Sequence, residues 1–311
     1  MSRATARGYR VGYIAEVTQG TTPATAPTLI RTIGGGMATA ASSVQSEEIG
    51  LTGVPDVIRT GFEATGTLQM EYSYSGIHWA LEGLFGAAFT TNVLRVGNTL
   101  RTFTLEHQWT DISRFLTARG CIIEGITITM QQGSKITVTI TYRALTPPSA
   151  FATATVFGAA PIAAPTNAIL SPIGGVQLIQ EGGALNLGSG GIGCLGFTIN
   201  MTRPGIPMPQ LGSLALAGLD QSTPVCTGSV SLYVPTGATA VLDKYLADTE
   251  TSLALRLGGA AAQRDDYLFT RVKFTEGGIG EMSPNSAANL NLSWQALDTT
   301  PNTTVQVTRT P

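Results

Sequence analysis

Charge is what this sequence has least of. Charged residues are 12% of its 311 positions, about half the usual share of a soluble chain. Lysine occurs only at Lys135, Lys244 and Lys273, and the net charge is −2. No run of Lys and Arg occurs, which argues against a protein that grips nucleic acid by displacing counterions. So few charges also leave little to keep a free surface wetted, and much of that surface is expected to be covered by partner subunits. Cysteine is scarce too: Cys121, Cys194 and Cys226 are odd in number and widely spaced. Neither a disulfide framework nor a metal-binding pair follows, and they read as small buried hydrophobes in a reducing compartment.

The groups that do chemistry are equally thin. His78 and His107 have no neighbouring cysteine and no His-x-x-x-His or Glu-x-x-His spacing, so they read as partly buried or surface side chains rather than metal ligands. No G-x-S-x-G elbow appears, and the pair Asp265-Asp266 reads as turn chemistry before a strand. Gly188, Gly190 and Gly193 match G-x-G-x-x-G, but a strand follows them instead of the helix a pyrophosphate needs, so they read as a glycine loop. The expectation is a non-enzyme with no cofactor and no metal. No segment approaches the roughly 20 apolar residues of a membrane span, and the opening MSRATARGYRVGY lacks a signal-peptide core. A protein made and kept in a cytoplasm is expected.

What is abundant is alternation of apolar with small polar residues. ITITM (126–130) and KITVTITY (135–142) alternate strictly across a QQGS turn and predict a hairpin, and TGTLQMEYS (65–73) and LRTFTLEH (100–107) predict further strands. GIHWALEGLFGAAF (76–89) spaces its apolar residues as a helix does. The order strand, helix, strand, strand, strand then recurs. TGTLQMEYS is answered by TGSVSLYVP, with Gly66 and Gly228 162 positions apart, and ALEGLF by VLDKYL. FTLE is answered by LALR, GITIT by RVKFT, and VTITYRAL (138–145) by LNLSWQAL (290–297), 152 apart. Offsets that change only between elements are what loop indels produce, so the chain reads as a duplicated domain. An Ala/Pro/Thr-rich stretch (147–172) and a glycine-rich one (181–193) lie between the copies and read as a connector.

SEEIGLTGVPDVIRTGFEATGTLQMEYSYSGIHWALEGLFG, then LRTFTLEHQWTDISRF, TRVKFTEGGIG and VQVTRTP, resemble the major tail tube proteins of long-tailed bacteriophages from about Ser46 to Pro311. The resemblance implies a mainly β fold: two tandem tail-tube-type β-sandwich domains, each with a flanking helix, lending strands to an oligomeric β-barrel ring. The expected layout is an N-terminal arm (1–45), tube domain copy 1 (46–146), linker and glycine-rich loop (147–193) and copy 2 (194–311). By the same resemblance the partners are further copies of the chain in stacked rings, with tape-measure, tail terminator and baseplate proteins; the duplication makes a trimeric ring the expectation and a hexameric ring the alternative. DNA would pass through without specific binding, and the protein would reside in the virion tail after assembly in the bacterial cytoplasm.

If each copy supplies four strands, three chains complete a ring of 24. At about 4.8 Å between strands and a tilt of about 45°, its backbone diameter is about 50 Å and its lumen about 40 Å, which clears a duplex about 20 Å wide. The residues expected to face the lumen or a neighbouring subunit are Thr127, Thr129, Thr137, Thr139, Thr141, Asn289, Asn291 and Ser293, opposite the core-facing set Val138, Ile140 and Tyr142. The strands 126–130 and 136–142 carry little lysine or proline and are expected as edges that neighbours cover. A carbohydrate-binding β-sandwich of the tail tip is the alternative; glycan cleavage would need paired carboxylates, and the acids are scattered. An outer-membrane barrel would call for a signal peptide.

Overall fold

The computed structural model describes residues 3–47, 52–148, 150–234, 239–280, 287–299 and 304–311; Glu48–Leu51, within the Ser-Glu-Glu-Ile motif and just after it, lie outside that set. The fold is mainly β. The first half holds β1 (Tyr9–Ala15), β2 (Thr28–Ile30), β3 (Thr32–Gln45), β4 (Val57–Glu71), α1 (His78–Phe85), β5 (Val93–Arg95), β6 (Phe103–Trp109), β7 (Arg114–Gln131) and β8 (Thr137–Ala144). The second holds a single turn α2 (Pro172–Gly175), β9 (Val176–Glu181), β10 (Leu185–Asn186), β11 (Cys194–Thr202), β12 (Gly205–Met208), β13 (Gly218–Gln221) and β14 (Val225–Tyr233). It continues through α3 (Thr239–Leu246), β15 (Thr251–Gly258), β16 (Arg264–Ile279), β17 (Asn289–Ala296) and β18 (Gln306–Thr310).

Strands pair in the same order in both halves. In the first the order is β2-β1-β6-β7-β8-β4-β3; in the second it is β10-β9-β15-β16-β17-β14-β11. β7 and β16 are the long members, and each serves two layers. The N-terminal part of β7 pairs with β6 and its C-terminal part with β8, and near the start of the β8-paired part the register slips at Ile123/Gly125. β16 slips at Phe274/Glu276 as it passes onto β17. An extra residue at such a point bends the strand, so the sheet folds back over itself and encloses apolar side chains. His107 on β6 reaches Tyr142 on β8 across that core, Nε2 to hydroxyl 2.7 Å.

One further correspondence locks the halves to a common plan. Gly66 lies opposite Tyr142, and Gly228 lies opposite Trp294. Both aromatics are fully buried, and each lies so close to its glycine that a β-carbon there would sit under 2.5 Å from the ring.

Several expectations change. In place of an N-terminal arm, residues 9–45 hold paired strands: β1 pairs with β6, burying Val11 and Ile14, and β3 pairs with β4. The Gly/Ala/Ser-rich sequence of β3 hid it, because strands are recognised by bulky alternation. Within the expected linker, residues 176–186 form β9 and β10, and 150–157 lies over the first half, where Glu106, itself buried, accepts from Val156 N (2.8 Å) and Thr155 (2.6 Å). Strands 126–130 and 136–142 are interior: β8 lies between β4 and β7, and β7 between β8 and β11. GITIT and RVKFT are not counterparts. Gly125 pairs with Thr141 and Glu276 with Ser293, which matches GITIT to 276–280, because one continuous strand carries both alternating stretches. Asp265 and Asp266 lie within β16 rather than in a turn.

The halves share one continuous apolar core. β11 lies along β7, and β18 joins β16 to β5, burying Leu94 and holding the 89–100 loop against the body. Buried Asp265 accepts from the Tyr72 hydroxyl (2.7 Å) and meets His78 Nε2 (2.7 Å), tying the first half to β16.

Candidate functional site

β3, β4, β8, β7, β11, β14, β17 and β16 lie side by side as an eight-stranded layer spanning both halves. Alternation sets its two faces apart. In β8, Val138, Ile140 and Tyr142 are buried while Thr137, Thr139 and Thr141 are partly open; in β11, Phe197, Ile199 and Met201 are buried while Thr198 and Asn200 are partly open. Directly opposed residues in antiparallel neighbours share a face, so the open residues form rows across the layer. One row runs Gln69, Thr139, Thr127, Asn200, Thr227. Another runs Glu71, Thr137, Thr129, Thr198, Ser229, Ser293.

All eight residues expected at the lumen or a subunit contact lie on this face. Five are brought together on β7 and β8, with Thr127 opposite Thr139 and Thr129 opposite Thr137. Asn289, Asn291 and Ser293 are on β17, separated from those five by β11 and β14. The expectation missed the residues that bridge the gap: Thr198, Asn200, Thr227, Ser229 and Ser231, as well as Thr65 and Thr67 on β4. Their signal was present in CLGFTINMT and TGSVSLY, which alternate as VTITY does. Thr127 donates to Asn200 Oδ1 (3.0 Å) and Ser231 to Asn291 Oδ1 (2.7 Å), so part of the face is hydrogen-bonded to itself.

Charge is kept to the margins of the layer and largely paired. Arg143 spans Glu124 (2.8 Å) and Glu63 (2.7 Å), with Glu124 and Glu63 raising its already high pKa through hydrogen bonds and proximity. Lys135 meets Glu71, and Lys273 meets Asp248 (2.8 Å). The middle rows carry hydroxyls and amides. The layer is concave there, its trough lined by Thr129, Thr198, Ser229, Ser231, Asn291 and Ser293, with Glu276 on its β16 side.

The chemistry-bearing groups lie elsewhere, inside the core. His107 is buried between the hydroxyls of Tyr9 (2.5 Å) and Tyr142 (2.7 Å), and burial pulls its pKa down to about 4. Burial also raises the Cys226 thiol to about 12 and Cys194 to about 11, and pushes Cys121 well above the usual thiol range, so none is a ready thiolate at neutral pH. The His78–Asp265 pair is enclosed with Tyr72 and Tyr267, all four buried. Among the described residues, no group of His, Cys, Asp and Glu is arranged to hold a metal ion, and no helix is long and apolar enough to cross a membrane.

A family model described as phage tail tube protein matches residues 8–296. The chain belongs to that family. It is therefore a structural protein of the bacteriophage tail, from a family whose members build a tube rather than catalyse a reaction. The match begins at β1 and ends with β17, so the tail tube family covers both halves of the strand plan and the polar layer. No curated protein matches the chain.

Proposed function

We propose that this tail tube protein polymerises as stacked rings, three chains to a ring with pseudo-sixfold symmetry, and that the polar layer lines the channel through which DNA enters the host. The two halves of the chain act as two tube domains, about 9–144 and 176–296. The observation that carries this reading is the eight-stranded layer itself: one chain presents four strands from each half, side by side, with a hydrophilic face whose middle is uncharged and whose charges, Glu71 and Glu276 among them, lie at its margins. Three such layers make 24 strands, and at about 4.8 Å spacing and about 45° tilt they enclose a lumen of about 40 Å, wide enough for a duplex. Two chains would make 16 strands and a backbone diameter of about 35 Å, leaving little clearance once side chains are subtracted.

A conduit must not hold its cargo. Each lysine on the wall would add a phosphate contact and steepen the salt dependence of binding, whereas the hydroxyls and amides of Thr129, Thr198, Ser229 and Ser293 offer exchangeable hydrogen bonds that water also satisfies. On this reading the tape-measure, terminator and baseplate proteins meet the tube at its ends and bore, and assembly takes place in the host cytoplasm. Mass measurement on isolated rings, with negative-stain microscopy, tests the reading: three chains per ring are expected, and six equivalent chains per ring would overturn the stoichiometry. Discrete monomers that bind sugar would favour the carbohydrate-binding alternative.

A further inference from the structure

The chain contains a worked example of how one tube unit joins the next. Between its halves, β11 lies antiparallel along β7 beyond the bend, with Ile199 opposite Ile128, Asn200 opposite Thr127 and Thr202 opposite Gly125. β3 holds the place in the first half that β11 holds in the second: Met37 pairs with Gly66 as Ile199 pairs with Gly228. Likewise Glu276 on β16 holds the place of Gly125 on β7, since Glu276 pairs with Ser293 and Gly125 with Thr141. Yet among the described residues β3 pairs only with β4, and β16 beyond Phe274 only with β17. The layer thus ends in two open edges that match, one by one, the two edges already joined at its centre.

We propose that β3 of one copy lies antiparallel along 276–280 of β16 in the next copy, with Met37 opposite Ile279, Ala38 opposite Gly278 and Ala40 opposite Glu276. The proposal rests on the ring reading and supplies its subunit contact. A β-carbon at Gly36 or Gly278 would meet nothing within 4 Å, so at these two positions the sheet face beside each edge is open. Ile279, 47% exposed, and Met37, half-buried, would cover each other as the fully buried Ile128 and Ile199 do at the centre.

A second junction feature points the same way. The excursion between β11 and β14, carrying β12 and β13, is docked on the first half: Arg203 donates to Leu84 O at the end of α1 (3.2 Å), and Gln221 to Ile123 O (2.8 Å). The corresponding excursion of the first half is the outer part of the β3–β4 hairpin, where Val44, Val57 and Ile58 are each more than half exposed. The helix corresponding to α1 is α3, in which only Val241 is buried and Leu246 is 71% exposed, whereas α1 buries all but Glu82. Val44, Val57 and Ile58 lack a surface and α3 lacks a cover, so these ends of β3 and β4 seat over α3 of the next copy. The contact is head-to-tail, and such a contact closes into a ring when its rotation closes.

Disulfide trapping tests the register. Ala38→Cys with Gly278→Cys, in a Cys194→Ser background, places the cysteines directly opposed, about 4.5–5.5 Å between α-carbons. Oxidised rings should run on a non-reducing gel as a covalent ladder ending at the closed ring. Thr39→Cys with Gly278→Cys points the two thiols to opposite faces and should give no ladder. Rings without a ladder from the first pair, or a ladder from the second, would overturn the register while leaving the ring reading intact. Failure of the unmodified chain to form any ring or tube would overturn the ring reading itself. Hydrogen exchange on the unmodified protein gives a check free of substitutions: amides in 36–40 and 276–280 should slow at least tenfold on assembly, and equal exchange in assembled and unassembled protein would overturn the proposal.

Discussion

Replacing Gly66 by alanine should destabilise the unassembled chain by about 1 kcal/mol net, and the whole of that cost should come from one ring. The added β-carbon would lie 2.2 Å from both Cζ and the hydroxyl oxygen of Tyr142 and 2.6 Å from Cε1. Ordinary carbon contacts begin near 3.5 Å, so the ring must move by more than 1 Å. It has little room, being fully buried and held at its hydroxyl by His107 Nε2 at 2.7 Å. Overpacking of this kind costs about 1–3 kcal/mol, offset by about 0.5–1 kcal/mol for replacing a strand glycine with alanine. A double-mutant cycle isolates the cause. In a Tyr142→Phe background the clash with Cζ persists, so the cost should remain. With Tyr142→Ala the ring is gone, and Gly66→Ala should become neutral or slightly stabilising. Urea unfolding followed by tryptophan fluorescence measures all six stabilities. An equal cost of Gly66→Ala in the native and Tyr142→Ala backgrounds would refute the argument.

Acidification should weaken the fold through His107. Its imidazole titrates near 6.5 when unfolded but only at about 4 when buried, so its contribution is fully present above about pH 6.5. That contribution is lost as the pH falls toward 4, by about 3 kcal/mol; the urea midpoint of His107→Gln should fall less steeply over that window. Asp265→Ala removes the shared acceptor of Tyr72 and His78 and should cost about 3–5 kcal/mol in urea unfolding, whereas Asp265→Asn, which keeps an acceptor, should cost about 1–2 kcal/mol. Thr139→Pro should unfold the chain rather than merely block assembly, because β8 is hydrogen-bonded on both sides; a native circular dichroism spectrum from that variant would contradict the interior placement of β8.

Alternation was enough, from sequence, to identify the β class and place about half of the strands, because a half-buried strand must repeat every two residues whatever its neighbours are. It also assigned Thr137, Thr139 and Thr141 to the face opposite Val138, Ile140 and Tyr142, and it paired Gly66 with Gly228 and Tyr142 with Trp294, which stand in matching places. Alternation carries no information about which strand lies beside which. That β7 and β8 are interior while β3 is an edge, that β11 and β14 bridge the two sets of polar residues, and that GITIT matches 276–280 all follow from long-range hydrogen bonding. β3 itself, built from IGGGMATAASSV, is extended without the bulky side chains that advertise a strand, and β4 is what holds it. Burial of the polar groups was hidden for the same reason. Asp265 lies within hydrogen-bonding distance of Tyr72 and His78 only once the fold brings the start of β16 to the end of β4 and the start of α1, and a carboxylate can be sealed from water only where other parts of the chain bring it donors.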